Sequence, residues 1–159
     1  MPSFETQRRV PFSAQQMYAL VADVERYPEF LPLCTGLVVN SRKPLGAIGE
    51  ELTARMSVGY KSIAENFITK VSLKPDEQRI DVTYLDGPFR HLDNRWRFID
   101  LPTADATSAS LVDFYITYEF RSPMLGLLVG TMFDQAFRKF AEAFEQRARE
   151  VYGAPKRVV

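Results

Sequence analysis

The chain has 159 residues and a mass of 18.2 kDa, which corresponds to about one domain. Hydrophobic residues make up 46% and charged residues 25%, and these ordinary values exclude a chain that is disordered throughout. Twenty basic residues balance twenty acidic ones, so the composition excludes strong attraction of the whole chain to DNA or to an anionic membrane.

Cysteine content and apolar runs bear on the compartment. Cys34 is the single cysteine, which excludes an internal disulfide and a multi-cysteine metal site and is consistent with a reducing compartment. The N-terminal segment contains no apolar run of the kind found in secretory signals. The longest weakly charged stretch, residues 122–133, is shorter than the ~20 residues that a membrane-spanning helix needs. We therefore expect a cytoplasmic protein.

The chain begins with a predicted strand and a predicted helix. Residues Ser3–Val10 alternate weakly between polar and apolar and predict a strand, which Pro11 ends because proline cannot donate to a neighbouring strand. Ser13 and Gln16 have the spacing of a capping box, and apolar residues follow at helical spacing, so an amphipathic helix is predicted over residues 13–25. Residues 27–32 contain two prolines and allow no more than a short helical turn.

From residue 35 to residue 120 the pattern is typical of antiparallel strands. Turn-forming residues recur at roughly 10–15 positions, which suits hairpins rather than crossover helices. These turns are predicted at Pro44 with Gly46 and Gly49, at Gly59, at residues 74–76, at residues 86–88 and at residues 102–105. Between the turns, apolar and polar residues alternate, so we predict about six strands with one buried aromatic face and one solvated face.

The C-terminal segment predicts one long helix. Ser122 is suited to the N-cap, with Pro123 at the first helical position. Apolar residues then recur at three- and four-residue steps from Val129 to Phe144 and form one stripe. The helix is predicted to run to about Glu150 as a single rod of about 39 Å. Residues 153–159 are predicted to form a flexible tail.

Together these elements predict one α+β domain over residues 1–152, in which a curved antiparallel sheet of six or seven strands wraps around the C-terminal helix. Aromatic side chains from the sheet and the helix would face each other inside it. They either interlock as a filled core or line a cavity for an apolar ligand, and periodicity does not separate the two. These residues are Trp96, Phe98, Phe114, Tyr118, Phe133, Phe137 and Phe140.

Few residues are candidates for catalysis. His91, the single histidine, could act as a base for Cys34, but nothing in the sequence brings the two together, and each has an ordinary structural interpretation. Glu65 could be a cavity carboxylate on the same face as Phe67; alternatively it lies on the exposed face, with Ala64 inward. The sequence has no phosphate-binding glycine motif and no zinc-binding histidine motif, so we expect no catalytic cofactor and no metal.

Three motifs resemble a known family. Residues 22–34, with the sequence ADVERYPEFLPLC, resemble the segment that follows the first helix in the coenzyme Q-binding proteins of the START-like superfamily. Residues 86–92 and 96–98 resemble the central turn and strand of that family, and residues 112–122 resemble its last strand and the beginning of its long helix. The likeness extends from Phe4 to Tyr152, with Leu33 at a position where many relatives carry tryptophan.

The resemblance implies a helix-grip fold with an internal apolar tunnel, which binds ubiquinone or a similar polyprenyl lipid and supports respiratory electron transfer without catalysis. For such a ligand we expect transient membrane contact during lipid exchange, and a cytoplasmic protein that is peripheral at the inner membrane. The ligand-binding residues would then be the aromatic residues above together with Phe30, Leu31, Leu33 and Phe67. The same branch includes toxins that block the association of ribosomal subunits, and other relatives are polyketide cyclases or aromatase-type enzymes, so both remain alternatives.

Two further features bear on these alternatives. Phe30, Leu31 and Leu33 form either a mobile lip that covers the tunnel mouth and touches the membrane, or a plug that closes one end of the core. A ribosomal subunit as partner would favour clustered positive charge. The candidate cations, which could equally be solvated surface groups, are Arg8, Arg9, Arg138, Lys139, Arg147, Arg149, Lys156 and Arg157.

Overall fold

A seven-stranded antiparallel sheet carries the fold in this computed structural model, which describes residues 3–60, 62–103 and 107–153. The strands are β1 (Ser3–Val10), β2 (Cys34–Leu45), β3 (Gly49–Tyr60), β4 (Ile63–Lys74), β5 (Arg79–Asp86), β6 (Phe89–Asp100) and β7 (Ser110–Phe120). Their order in the sheet is β1-β7-β6-β5-β4-β3-β2, so β2 to β7 form successive hairpins and β1 pairs with the last strand. The predicted run of six antiparallel strands is confirmed.

Alternation along the strands produces one apolar face. In β6, Leu92, Trp96 and Phe98 are 5%, 3% and 3% exposed, whereas Arg95 and Arg97 between them are exposed. Side chains of the C-terminal helices pack against this apolar face, which makes the architecture the predicted helix-grip fold.

The first helix, α1 (Ala14–Ala22), is shorter than predicted. Ser13 caps it in a capping box with Gln16, as expected. The predicted end at residue 25 is wrong: the backbone leaves the α-helical conformation at Asp23 and continues as a 3-10 helix, Val24–Glu29. Pro28 keeps the α-helix from continuing through this segment, because it has no N–H to donate to the carbonyl oxygen of Val24.

The C-terminal helix is two helices rather than the predicted single rod. They are α2 (Pro123–Arg138), capped by the Ser122 hydroxyl, and α3 (Phe140–Tyr152). Between them, the Lys139 N–H bonds to the carbonyl oxygen of Ala136, three residues back, instead of four. This tighter turn interrupts the α-helix, and Phe137 and Phe140 on either side of it, whose rings are 5.3 Å apart, both pack against the core.

The turns largely match their predicted positions. Gly87, with φ +142°, connects β5 to β6, and a Cβ atom there would lie 2.5 Å from the Phe67 Cβ, so only glycine fits. Gly46, with φ +71°, connects β2 to β3, and a short 3-10 helix, Pro75–Glu77, connects β4 to β5. Gly59 is an exception, because it lies within β3 opposite Ala64.

Two predictions concern residues that the structure does not describe. Of the predicted turn at residues 102–105, positions 104 and 105 lie outside the described residues. Of the predicted tail at residues 153–159, all but Gly153 lie outside them.

Candidate functional site

A cavity lies between the concave face of the sheet and the helical layer. Its volume is about 70 Å³, measured as the space open to the centre of a water-sized sphere. Strands β2 to β7 supply most of its walls, and the 3-10 helix at residues 24–29, Leu31 and the helices α2 and α3 supply the rest. The lining residues are Val24, Tyr27, Leu31, Leu37, Ala54, Met56, Phe67, Thr69, Val71, Val82, Leu92, Asn94, Trp96, Ile116, Phe137, Phe140 and Phe144.

The few polar side chains in this lining are mostly engaged. The Asn94 Nδ2 donates to the Tyr115 carbonyl oxygen at 2.9 Å, and the Asn94 Oδ1 accepts from the Trp96 Nε1 at 3.1 Å. The Tyr27 hydroxyl donates to the Val21 carbonyl oxygen, and burial raises the pKa of Tyr27 far above that of an ordinary phenol. The described lining contains no carboxylate, histidine, lysine, arginine or cysteine. This cavity therefore suits an apolar, uncharged ligand.

A smaller cavity of about 10 Å³ lies where the beginning of β2, the β3–β4 hairpin and α2 meet. It is lined by Leu33, Val58, Gly59, Tyr60, Ile63, Glu65, Val129, Met132 and Phe133. Glu65 is half-buried on the same face of β4 as Phe67, whereas Ala64 is exposed. The alternative that turned Glu65 outward is therefore wrong, although Glu65 lies beside the smaller cavity and not in the larger one.

The structure distributes the predicted ligand-binding residues over three environments. Leu31, Phe67, Trp96, Phe137 and Phe140 line the larger cavity, and Leu33 and Phe133 line the smaller one. The remaining four, Phe30, Phe98, Phe114 and Tyr118, do not line either cavity. The interior is therefore partly filled by packed rings and partly open.

Packed rings explain the position of these four residues. Phe114 lies 4.6 Å from the Trp96 ring, and Tyr118 lies 4.9 Å from the Phe137 ring. Phe98 stacks parallel to Trp96 at 6.1 Å. Such contacts stabilise a fold by about 0.5–1.5 kcal/mol each beyond simple burial.

The segment between the two prolines is packed rather than open. Phe30 makes an edge contact with Phe144 at 5.1 Å, and the Arg147 guanidinium lies 5.1 Å from the Phe30 ring. Leu31 is only 5% exposed. These contacts favour the plug over the lip as the resting arrangement of this segment.

Several lining residues were not predicted, among them Ala54, Met56, Thr69 and Asn94. Alternation could have found them: Ala54 and Met56 alternate along β3, Thr69 alternates with Phe67 along β4, and Asn94 alternates with Trp96 along β6, all on the same face of the sheet. Sequence alone gave no reason to treat small or polar residues as lining, since aromatic residues were the conspicuous signal.

The catalytic pair proposed for Cys34 and His91 does not form. Cys34 begins β2 and is buried, whereas His91 lies in β6 on the opposite face of the sheet. Four strand steps separate these strands, which is about 19 Å along the sheet at about 4.8 Å per step. Within the described residues, no three His, Cys, Asp or Glu side chains are grouped so that they could hold a metal ion.

Four of the six predicted cations that the structure describes are paired with acids. Arg8 and Arg149 both contact Glu145, Arg138 contacts Asp134, and Arg147 contacts Glu29 and Glu150. Lys156 and Arg157 lie outside the described residues. In the described part of the chain, no helix is both long and apolar enough to cross a membrane.

Comparison with known proteins places this fold in a family. Residues 10–145 match the family model described as "Polyketide cyclase / dehydrase and lipid transport". The ribosome association toxin RatA of Escherichia coli K12 is 35% identical over 154 residues, which cover 97% of this chain and 91% of RatA. The coenzyme Q-binding protein COQ10 homolog B of Xenopus laevis is 32% identical over 143 residues, which cover 89% of this chain and 56% of that protein.

Solved structures show the same fold. The 18 kDa protein CC1736 of Caulobacter crescentus has a TM-score of 0.75 and 34% identity, and the match covers 97% of this chain and all of CC1736. A START superfamily protein of Mycobacterium smegmatis has a TM-score of 0.68 and 23% identity, with 94% of this chain and 98% of that one covered. The resemblance to START-like proteins is thus confirmed, and the chain belongs to the polyketide cyclase/dehydrase and lipid transport family.

Proposed function

We propose that this protein binds a neutral polyprenyl lipid, foremost ubiquinone, in the larger cavity and supports respiratory electron transfer without altering the lipid chemically. The observation that carries this proposal is a cavity whose described lining is apolar and free of ionised side chains. The name of the Xenopus relative, a coenzyme Q-binding protein, supports the same ligand. Neither that name nor RatA is the name of an enzyme, whereas the family description includes cyclases.

Apolar burial supplies the driving force for such a ligand. An isoprenoid unit has five carbons, and the transfer of one methylene out of water contributes about 0.8 kcal/mol. The cavity of about 70 Å³ has room for roughly five water molecules at about 10–15 Å³ each. A whole prenylated quinone is larger, so its binding requires the helical layer to move away from the sheet. The interruption at Lys139 lies between two helices that both contribute to the lining and is a suitable point for that movement.

Lipid exchange would also require contact with a membrane, and α2 offers an apolar surface for it. Residues 123–133 contain no charged side chain. Within this segment Met124, Leu127 and Leu128 are 71%, 87% and 66% exposed. Val129 and Phe133 of the same helix line the smaller cavity, so the exposed surface and the interior are close together. We place the membrane contact on α2 rather than on Phe30 and Leu31, which are packed.

The test of ligand binding is the protein purified from its own host. Organic extraction followed by mass spectrometry is expected to release a prenylated quinone in a fixed molar ratio to the protein. An equal amount of an unrelated protein of similar size, purified in parallel, controls for lipid carried over from membranes. Purified protein that yields no quinone above this control, and that binds no added quinone in titration, would contradict the proposal.

A second candidate function is the inhibition of ribosomal subunit association, which is favoured by the name and the 35% identity of RatA. A groove on the convex face of the sheet supports it, because Arg79, Arg95 and Arg97 line this groove. Glu5 and Asp113 lie in the same groove and reduce its positive charge. Sedimentation with purified ribosomal subunits at moderate salt tests this function: a stoichiometric complex supports it, and free protein at the top of the gradient excludes it.

A further inference from the structure

One polar group in the larger cavity has no partner. Thr69 is only 5% exposed and lies on the cavity face of β4, between Phe67 and Val71. No hydrogen bond to its side chain is found among the described residues. Because no side chain or backbone group of the described residues bonds to this hydroxyl, it can bond only to what occupies the cavity.

The other polar groups of the lining differ from Thr69 in this respect. The Tyr27 hydroxyl uses its hydrogen on the Val21 carbonyl oxygen, and the Trp96 N–H is used on Asn94. Asn94 in turn donates to the Tyr115 carbonyl oxygen. The Thr69 hydroxyl therefore makes no hydrogen bond to the described residues of the protein and, with the second amide hydrogen of Asn94, is what this described lining leaves available for a ligand.

The available hydrogen restricts the class of ligand. A hydroxyl donor is complemented by an acceptor oxygen, such as a quinone carbonyl or a methoxy oxygen. An ionised acceptor such as a carboxylate does not fit, because the described lining offers no cation to balance its charge. A pure hydrocarbon would leave the hydroxyl unpaired.

We propose that Thr69 is the residue that recognises the head group, and that its hydroxyl donates a hydrogen bond to a neutral acceptor oxygen of the bound lipid. This inference rests on the proposed function and deepens it, because it distinguishes an oxygenated ring from an apolar tail of equal length. The hydroxyl selects the ligand, and the surrounding apolar walls supply most of the affinity.

The test compares two probes, decylubiquinone and decylbenzene, which share a six-membered ring and a ten-carbon tail. Decylbenzene lacks the carbonyl, methoxy and methyl groups of the quinone ring and therefore every acceptor oxygen. Thr69→Val keeps the shape of the side chain and removes the hydroxyl. It is expected to weaken the binding of decylubiquinone by about two- to tenfold, the range for one neutral hydrogen bond, and to leave the binding of decylbenzene unchanged or stronger. Thr69→Ser keeps a hydroxyl and should retain the preference for the quinone.

Val71→Ala is the matched control, because Val71 is the next cavity-facing residue of β4 and has no polar group. It should weaken the binding of both probes alike. Equal loss of both probes in Thr69→Val would overturn the inference while leaving lipid binding intact. Wild-type protein that binds neither probe would instead reject the proposed function, and the role of Thr69 with it. The melting temperature of ligand-free Thr69→Val should not fall, since valine suits a buried strand position.

Discussion

Glu145 shows how a buried charged side chain is stabilised in this fold. Glu145 of α3 is only 6% exposed, yet it contacts both Arg8 of β1 and Arg149 of its own helix. The two guanidinium groups replace the water that the carboxylate has lost. Arg8 was one of the cations predicted as a candidate ribosome contact. In the structure it binds Glu145 and so attaches α3 to the edge strand β1.

Asp81 on the convex face of β5 links protonation to stability. Partial burial by itself would raise the pKa of Asp81, but hydrogen bonds from Lys74 at 2.9 Å and from Arg79 at 3.0 Å outweigh it and hold the pKa below its usual value. Because the carboxyl binds its proton more readily in the unfolded chain, its contribution is complete above about pH 4 and is lost as the pH falls through the folded-state pKa. Asp81→Asn should therefore make the unfolding free energy less dependent on pH below about pH 4 in urea titrations.

Asp76→Asn is the control for this effect, because Asp76 is exposed in the neighbouring turn and forms no ion pair within the described residues. The contribution of Asp81 to the acid dependence should persist in this variant. Identical acid titrations for Asp81→Asn and the wild type would contradict the role given to Asp81.

Cys34 provides a second prediction at this scale. Burial raises the pKa of the Cys34 thiol to about 11, and the thiol donates to the Gly36 carbonyl oxygen. At pH 8 only about one thiol in a thousand is then ionised, so a disulfide reagent should label the native protein far more slowly than the protein unfolded in urea. The double change Cys34→Ser and Thr35→Cys moves the thiol to an exposed neighbour and should restore fast labelling. Rapid labelling of native Cys34 would reopen its role as a nucleophile.

The elements show where apolar surface is hidden and where it is left exposed. The inner apolar stripe of the two C-terminal helices forms part of the cavity wall, through Phe137, Phe140 and Phe144. The first half of α2 differs, because its outward residues are leucine and methionine instead of charged side chains. An amphipathic surface helix normally has a polar outer face, so this exposed stretch is consistent with an interface to lipid.

Changing this stretch tests the membrane contact. Leu127→Ser with Leu128→Ser should weaken cosedimentation with vesicles of phosphatidylcholine and phosphatidylglycerol by about tenfold or more, since two leucines no longer leave water on binding. The melting temperature should change little, because both side chains are already exposed. Val38→Ser with Ile48→Ser is the matched control, as these residues are 59% and 58% exposed on another part of the surface. Equal effects of the two double variants would contradict a specific contact through α2.

At the scale of the whole molecule, the cavity couples ligand binding to stability. A ligand that binds only the folded chain stabilises it by about 2.7 kcal/mol at a concentration of 100 times its Kd. For a chain of this length, that corresponds to a rise of about 5–10 °C in melting temperature.

Filling the cavity should abolish this stabilisation. Ala54 is 2% exposed and faces the cavity from β3, so Ala54→Leu places three further carbons in the space of about 70 Å³. The melting temperature of this variant should no longer rise with decylubiquinone. Ala64→Leu adds the same carbons on the exposed face of β4 and should keep the full rise. An unchanged rise in Ala54→Leu would place the ligand outside this cavity.

Local patterns in the sequence determined the elements of this protein. The capping box at Ser13, the alternation in β6 and β7 and the N-cap at Ser122 each act within a few residues, so the strands, their hairpins and the beginnings of the helices could be predicted. The end of α1 at Ala22 and the interruption at Lys139 could not be predicted. Helical spacing continues through both positions, and the interruption depends on how Phe137 and Phe140 pack against the core.

Only the tertiary structure decided which inward residues pack and which enclose space. Phe114 and Trp96 share a face with Asn94 in the sheet, yet the first is packed among rings whereas the other two border the cavity. Alternation predicts which face of the sheet a side chain occupies. It does not predict the distance between the sheet and the helices, because that distance depends on the volumes of all the facing side chains together. For that reason the aromatic content of the sequence predicted an apolar interior. The position of the cavity, with Thr69 in its wall, depends on how the sheet and the helices pack together and was visible only in the tertiary structure.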